Sequence, residues 1–174
     1  YNLEDLSNHF FLKKISLINN PVSSQIQYKA KQRNQVKPNI LQIGCHPHKN
    51  LEGVIRAIEG MNCSLTIIGY LTEKQKQLLY SNNIDFDNCF GLTFKQVIKC
   101  YENSDLVIFA SFHEGFGMPI VEANAIGRPI VCSNICSLPE VAGDAAIFID
   151  PHSSDEIAYA IESLLEDNEK WNYY

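Results

Sequence analysis

The segment Ser111-Phe-His-Glu-Gly-Phe-Gly-Met-Pro-Ile-Val-Glu122 lies between an apolar run and a helical sequence, and it indicates how the rest of the chain folds. The preceding residues 105–110 are typical of a buried strand. Gly115 and Gly117 occupy the following turn, where glycine permits a positive φ and lets a ligand approach the backbone N–H groups closely. Pro119 suits the first turn of a helix, and the free N–H groups at that helix start attract an anion such as a phosphate.

Short apolar segments alternate with amphipathic ones from Pro38 onward. The predicted strands are residues 39–43, 64–68, 86–90, 105–110, 129–132 and 145–149, and a helix is predicted after each of them. Three of these helices are predicted to begin with capping boxes, at Thr72 with Gln75, Thr93 with Gln96, and Ser137 with Glu140. This order predicts an α/β fold with a doubly wound, Rossmann-like parallel sheet, whose ligands bind beyond the carboxyl ends of the strands.

The beginning of the chain has a different character. A short helix is predicted over residues 3–11 and a strand over 13–18, with a turn after it. Residues 25–37 are polar and predict a linker or an exposed hairpin, whose cations face solvent; these cations are Lys29, Lys31, Arg33 and Lys37. We therefore predict that residues 1–36 form a linker and residues 37–170 form the Rossmann-like domain.

Composition limits the classes of function. A chain of 174 residues forms one domain, and its net charge of −6 argues against nucleic-acid binding, which needs a basic surface. No apolar run approaches the ~20 residues that span a bilayer. The six cysteines lack C-x2-C spacing, which indicates reduced thiols in a cytoplasmic protein. His46, His48 and His113 have no diagnostic metal-ligand spacing, so we expect no metal and no cofactor.

Two carboxylates flank the glycine turn. Glu114 precedes it and Glu122 follows inside the predicted helix, so both can face one crevice. Hydrogen-bond acceptors on either side of a phosphate-binding helix end suit a molecule with a phosphate in its middle and hydroxyls at both ends. A sugar nucleotide is such a molecule.

These residues carry a resemblance to a known family. Glu114-Gly-Phe-Gly-Met-Pro-Ile-Val-Glu122 resembles the E-x7-E signature of retaining glycosyltransferases with the two-domain GT-B fold, glycosyltransferase family 4 (group 1). The following Ala123-Asn-Ala-Ile-Gly-Arg-Pro-Ile-Val131 is similar to the usual continuation of that signature, and the resemblance spans about residues 15–165. It implies that this chain is the C-terminal, donor-binding half of such an enzyme. It also implies that residues 18–22 lie where the chain crosses from an N-terminal acceptor domain absent from this sequence, and that a domain-crossing C-terminal helix is cut short at residues 171–174.

The resemblance assigns roles to individual residues. Glu114 lies near the donor sugar as the catalytic group, with an electrostatic role, and Glu122 holds the ribose hydroxyls. Lys49 binds the donor phosphates, although histidines stand in this loop where many relatives have an arginine. Because histidine is only partly charged at neutral pH, that difference implies weaker diphosphate binding, or binding that strengthens below about pH 6.5. The expected donor-binding residues are Gly44, His46, Lys49, Leu92 at the nucleobase, His113, Gly115, Phe116, Gly117, Met118, Pro119 and Glu122.

The implied activity is transfer of a hexose from a nucleoside-diphosphate sugar to a glycan or lipid-linked acceptor, which the missing domain holds. The isolated half is expected to bind donor weakly and to turn over little, because catalysis needs both reactants held together away from water. Peripheral membrane contact is expected only in the full-length protein. Two alternatives stay open: a non-catalytic sugar-nucleotide-binding module, and a GT-B epimerase or phosphorylase. The absence of a G-x-G-x-x-G turn argues against a nicotinamide dehydrogenase.

Overall fold

A computed structural model describes residues 19–174, so the helix predicted over 3–11 and the strand predicted over 13–18 lie outside the described residues. The described part contains one sheet of six parallel strands in the order β3-β2-β1-β4-β5-β6. The strands are β1 (Asn39–Ile43), β2 (Ser64–Ile68), β3 (Phe86–Cys89), β4 (Leu106–Phe109), β5 (Ile130–Ser133) and β6 (Ile147–Ile149). The predicted doubly wound, Rossmann-like sheet is confirmed.

Helices connect the strands and follow the last of them. They are α1 (Leu51–Ala57), α2 (Glu73–Ser81), α3 (Phe94–Asn103), α4 (Met118–Ile126), α5 (Leu138–Ala142), α6 (Ser154–Glu166) and α7 (Asn168–Tyr173), with a 3-10 turn at Pro47–Lys49. The predicted strands 39–43 and 64–68 and the helix 118–126 match to the residue. The strand predicted from residue 145 begins only at Ile147, because the Ala145 N–H donates to the Ala142 carbonyl and prolongs the preceding turn.

Two separate hydrophobic clusters cover the two faces of the sheet. One contains the buried side chains of α1, α2 and α6, including Val54, Leu79 and Ile161. The other contains those of α3, α4 and α5, including Ile120 and Leu138. Successive strand residues alternate between the two clusters, because side chains along a strand point to opposite faces of the sheet. Each fully buried leucine or isoleucine contributes ~1.5–3 kcal/mol to the stability of the fold. This two-sided burial explains why the central strands β4 and β5 are fully buried and mostly apolar.

The strand order reverses between β1 and β4. The chain leaves β1 toward β2 and β3, then crosses back to place β4 on the other side of β1. The loops after β1 and β4 therefore diverge to opposite faces and leave a crevice at the carboxyl edge of the sheet. Contact across it is direct, because the Phe112 N–H donates to the His48 carbonyl oxygen at 2.7 Å.

The basic segment before β1 matches the predicted solvated surface only at Lys29 and Lys37, which are exposed, whereas Lys31 and Arg33 are half-buried. Lys29 pairs with Glu102, Lys31 pairs with Asp105 at 2.8 Å, and Lys37 pairs with Asp85; the Arg33 guanidinium donates to the Leu164 carbonyl and lies over the Trp171 ring. No strand forms between residues 25 and 37, so the predicted exposed hairpin is not observed. Acidic partners distant in sequence hold this linker on the domain, which local sequence could not reveal.

Within residues 19–174, no helix combines the length and the apolar character that crossing a bilayer requires.

Candidate functional site

The loop after β1 is shaped by one buried glutamine and one left-handed glycine. Gln42 donates from Nε2 to the carbonyl oxygens of Gly44 and Lys49, both at 3.1 Å, and so closes the loop on itself. Gly44 has a φ of +85°, and an added Cβ there would lie 2.9 Å from Cγ of Lys49. A side chain at position 44 would therefore displace the lysine stem. His46 and His48 are exposed, with nearly parallel rings 6.1 Å apart.

Lys49 reaches across the crevice to the loop after β4. Its Nζ lies 2.5 Å from Oε1 of Glu114, and the two side chains are only 18% and 12% exposed. The same ammonium lies 4.9 Å from the centroid of the Phe109 ring, which adds a cation–π contact. The structure thus joins two predicted site residues that are 65 positions apart in the sequence. A largely desolvated, charge-assisted hydrogen bond of this kind is strong, and it fixes both groups at the switch point.

The two glycines of the 111–122 segment have different roles. Gly117 caps the N-terminus of α4 in the left-handed region, with a φ of +99°, and Pro119 occupies the first turn as predicted. Gly115 does not have a positive φ, so the prediction that both glycines serve the same conformation is wrong for it. A Cβ at position 117 would lie 2.5 Å from Cδ2 of Leu138, whereas one at position 115 would meet nothing within 4 Å. The tight turn therefore depends on Gly117 alone.

This difference predicts unequal effects of two alanine substitutions. We expect Gly117→Ala to lower the free energy of unfolding by about 1–3 kcal/mol, because it forces alanine to a positive φ and drives its methyl group into Leu138. Gly115→Ala is the matched control and is expected to change stability by less than about 0.5 kcal/mol. Urea unfolding of both variants measures the difference, and equal losses would contradict this assignment of the turn.

The loop after β5 supports the glycine turn from the side. Ser137 donates from its hydroxyl to the carbonyl oxygens of Gly115 and Phe116, at 2.9 and 3.2 Å. It makes no side-chain cap to α5, so the capping box predicted at Ser137 and Glu140 is wrong; the hydroxyl is taken by the neighbouring loop instead. Beside it, the Sγ of exposed Cys136 lies 3.6 Å from Nδ1 of His113. The capping boxes predicted at Thr72 and Thr93 are confirmed.

Glu122 is bound to a buried tyrosine of α3. Its Oε2 accepts a hydrogen bond of 2.6 Å from the hydroxyl of Tyr101, whose side chain is fully buried. Burial raises the pKa of Glu122, and the hydrogen bond from Tyr101 opposes that rise. Burial and the adjacent carboxylate raise the pKa of Tyr101 well above its usual range, so the phenol stays protonated and donates. Glu114 and Glu122 therefore have different protein partners, a lysine and a tyrosine.

Aromatic rings are exposed at the ends of β2 and β3, on the same edge of the sheet. Tyr70 and Phe90 lie with ring centroids 4.8 Å apart and are 73% and 56% exposed. The Tyr70 carbonyl accepts from the Sγ of Cys45 in the loop after β1, which ties this pair to the crevice. Leu92, the predicted nucleobase contact, is half-buried two residues beyond Phe90.

Sequence reasoning missed three residues of this site. Tyr101 is not among the predicted site residues, although its hydroxyl binds Glu122. Asn50 adopts a left-handed conformation with a φ of 55°, caps α1 through Oδ1, and donates to the Pro151 carbonyl. Ser111 has a buried hydroxyl without a hydrogen-bond partner among residues 19–174. Of these three residues, only Asn50 could have been found from the sequence, because an asparagine directly before a helical pattern is typical of an N-cap.

Within the described residues, no three histidine, cysteine, aspartate or glutamate side chains come together as a metal-ligand group. His46 and His48 are near each other, while His113 contacts Cys136.

Comparison with known proteins identifies the family. Residues 24–174 match the family model described as glycosyl transferases group 1. A relative named O-antigen chain mannosyltransferase B, from Escherichia coli, is 48% identical over 69 residues, which are 39% of this chain and 18% of the relative. The chain therefore aligns with less than a fifth of that relative's length.

Solved structures share the fold. The C-terminal domain of a glycosyl transferase group 1 family protein (LpcC) from Francisella tularensis superimposes with a TM-score of 0.70 at 24% identity, covering 86% of this chain and 90% of that one. Anabaena HepE, solved in complex with UDP and glucose, superimposes with a TM-score of 0.68 at 21% identity, covering 78% of this chain and 40% of that one. The family match covers most of the sequence and the fold agrees with it: this chain belongs to the glycosyl transferases group 1 family.

Proposed function

We propose that this chain is the donor-binding domain of a retaining GT-B glycosyltransferase of family 4, which transfers a hexose from a nucleoside-diphosphate sugar to a glycan or lipid-linked acceptor. The observation that carries the proposal is the contact between Lys49 and Glu114 at the switch point, beside the N-terminus of α4. It places a cation, an anion and free backbone N–H groups together. Those are the groups that a diphosphate and a developing positive charge at a sugar carbon require.

Each part of a donor has a counterpart in the crevice. The diphosphate binds between the Lys49 ammonium and the N-terminus of α4, where the dipole favours anions. The hexose lies against Glu114, with the half-buried side chains of Phe116 and Met118 as the walls of its pocket. The loop residues Gly44, His46 and His113 complete this end of the crevice. HepE was solved with UDP and glucose, which supports the same ligand class here.

The other end of the donor lies toward α3 and β3. Glu122 accepts the hydroxyls of the ribose, and Tyr101 holds its carboxylate in place. The exposed pair of Tyr70 and Phe90, beside Leu92, offers aromatic surface for a nucleobase. Binding of this kind uses hydrogen bonds and charge alone, so we propose that no metal or cofactor is needed.

The acceptor is proposed to bind a second domain, because the chain aligns with only part of its relatives. In this proposal residues 1–36 lead from that acceptor domain and residues 37–170 form the donor domain. The relative from Escherichia coli is named a mannosyltransferase, which favours mannose among the hexoses. All six cysteines are free thiols, which supports a cytoplasmic location, with peripheral membrane contact only in the full-length protein.

Calorimetric titration tests this proposal directly. UDP, GDP and ADP and their hexose conjugates are titrated into the chain with EDTA present, beside the variant Glu122→Ala. We expect saturable binding of one nucleotide in the absence of metal, and loss of that binding in the variant. The same nucleotide identifies the base of the donor.

Four outcomes would change the proposal. Absence of binding at about millimolar ligand, both in this chain and in a longer protein that contains it, would contradict a donor site. Binding that requires added Mg²⁺ would overturn the proposal that no metal is needed. Conversion of a bound donor without any acceptor would favour the epimerase alternative, and binding without transfer in the longer protein would favour the non-catalytic module.

A further inference from the structure

Tyr101 is a buried tyrosine whose hydroxyl reaches a proposed ligand-binding residue. The side chain is fully buried in the cluster between α3, α4 and the sheet, yet its hydroxyl donates to Glu122 at 2.6 Å. Only one oxygen of the carboxylate, Oε2, takes part in this bond, which leaves Oε1 for another donor. The contact thus links the core of the domain to the carboxylate proposed to bind ribose.

The backbone at Tyr101 is itself firmly held. Its carbonyl oxygen accepts from Nε of Arg128 at 3.1 Å and from the hydroxyl of Ser104 at 2.8 Å. Arg128 is only 1% exposed, and its guanidinium also donates to the carbonyls of Lys29 and Glu102. A buried guanidinium with several carbonyl partners resists movement, because any displacement leaves polar groups unpaired. Tyr101 is therefore a fixed reference point for the carboxylate.

A single fixed hydrogen bond limits how a carboxylate can rotate. The terminal torsion of a glutamate is broad, so a free Glu122 would sample many orientations of its oxygens. With Oε2 directed at Tyr101, the plane of the carboxylate is set, and the remaining lone pairs have defined directions. Two adjacent hydroxyls of a ribose need acceptors in such defined directions, whereas a single hydroxyl can be satisfied by many orientations.

We propose that Tyr101 is a positioning residue that orients Glu122 and thereby makes the site prefer a ribonucleotide over its 2′-deoxy counterpart. This inference rests on the proposed function. A purely structural explanation is that the buried phenol only needs some acceptor. That explanation predicts a loss of stability when the hydroxyl is removed, but no change in sugar preference.

The test compares Tyr101→Phe with the wild-type chain. Phenylalanine keeps the ring in the core, and Tyr159→Phe, at a site 71% exposed on α6, is the control. UDP and 2′-deoxy-UDP, and GDP and 2′-deoxy-GDP, are titrated from about pH 4.5 to pH 8. We expect Tyr101→Phe to weaken ribonucleotide binding about tenfold, the scale of one hydrogen bond to a charged group, and to reduce the ribo-to-deoxy ratio to about two or less. The control should match the wild type.

The pH dependence of binding reports the hydrogen bond from Tyr101 to Glu122 itself. Binding needs Glu122 ionised as an acceptor, so it weakens as the pH falls through the pKa of that carboxyl. Since the hydrogen bond from Tyr101 lowers that pKa against the effect of burial, its removal should raise the pKa and move the midpoint of binding to higher pH. Carbon NMR of the Glu122 carboxyl in the unliganded protein measures the same shift without nucleotide.

A double variant separates an effect that passes through Glu122 from a general effect on folding. In the background of Glu122→Gln, Tyr101→Phe should change nucleotide affinity by less than about twofold, because its effect passes through the carboxylate. Equal losses in both backgrounds would assign Tyr101 a structural role and overturn the inference, as would an unchanged ribo-to-deoxy ratio. If neither the wild-type chain nor a longer protein that contains it binds UDP, GDP or ADP, the proposed function fails and the inference fails with it. If nucleotides bind and Tyr101→Phe leaves the ribo-to-deoxy ratio unchanged, only the inference is refuted.

Discussion

Replacing Lys49 by methionine is expected to weaken nucleoside-diphosphate binding about 30- to 100-fold. The lysine is the cation proposed to meet the diphosphate, and its ammonium is mostly removed from solvent, where a hydrogen bond to an anion contributes about 2–3 kcal/mol. Methionine keeps the apolar stem above Phe109 and removes only the charge. The variant should also lose about 1–3 kcal/mol of stability, because Glu114 would remain largely buried without its partner.

The matched control is Lys74→Met. Lys74 is 82% exposed and lies 3.7 Å from Glu52 on the surface, so its loss should leave both affinity and stability nearly unchanged. Calorimetry gives the affinities, and urea unfolding gives the stabilities. Lys49→Met with wild-type affinity for diphosphate, in a folded protein, would show that the ammonium serves Glu114 alone and would remove the phosphate role from this loop.

Glu114→Gln is expected to reduce sugar transfer by about 100- to 1,000-fold in the longer protein that contains this chain. Glutamine keeps the shape and can still accept from Lys49, but it removes the negative charge proposed to stabilise positive charge at the sugar carbon. Removal of one preorganised electrostatic group from an active site typically lowers kcat by about this factor. Nucleotide affinity should fall by less than about fivefold, because the charge acts mainly in the transition state.

Steady-state kinetics with the nucleotide sugar identified by titration provide the measurement. Glu140→Gln, an exposed glutamate on the neighbouring α5, is the control and should retain wild-type activity. A Glu114→Gln enzyme with at least a third of the wild-type kcat would rule out a catalytic role for Glu114 and leave it as the partner of Lys49. A loss of affinity with an unchanged kcat would assign it to ground-state binding instead.

Most of the fold could be predicted from local patterns in the chain. Residues 39–43 and 64–68 are short apolar runs bounded by turn residues, and 118–126 is bounded by Gly117 and Gly127, so their limits follow from neighbouring residues. The errors have a common cause. Ser137 has the sequence of a cap, but its hydroxyl binds carbonyls 21 and 22 residues away. The lysines of the linker look solvated in sequence, yet Lys31 pairs with Asp105, which is 1% exposed.

The same distinction between local patterns and long-range contacts applies to the candidate site. The sequence predicts the spacing of Glu114, Gly117 and Glu122, and it places Lys49 after the first strand. These features depend only on neighbouring residues and on the periodicity of a single strand or helix. The pairing of these groups depends on the strand order and on which face of the sheet each helix covers. The observed pairs are Lys49 with Glu114 and Tyr101 with Glu122.

The sequence by itself thus determined the parallel α/β fold, the glycine turn and the residue types at the carboxyl edge of the sheet. Only the tertiary structure decided that the lysine of one loop meets the glutamate of another, that buried Asp105 pairs with Lys31, and that a core tyrosine donates a hydrogen bond to Glu122. The physical reason is distance. Periodicity, capping and turn preferences act over a few residues, whereas hydrogen bonds and ion pairs between loops form only after the sheet brings distant segments within about 3 Å of each other.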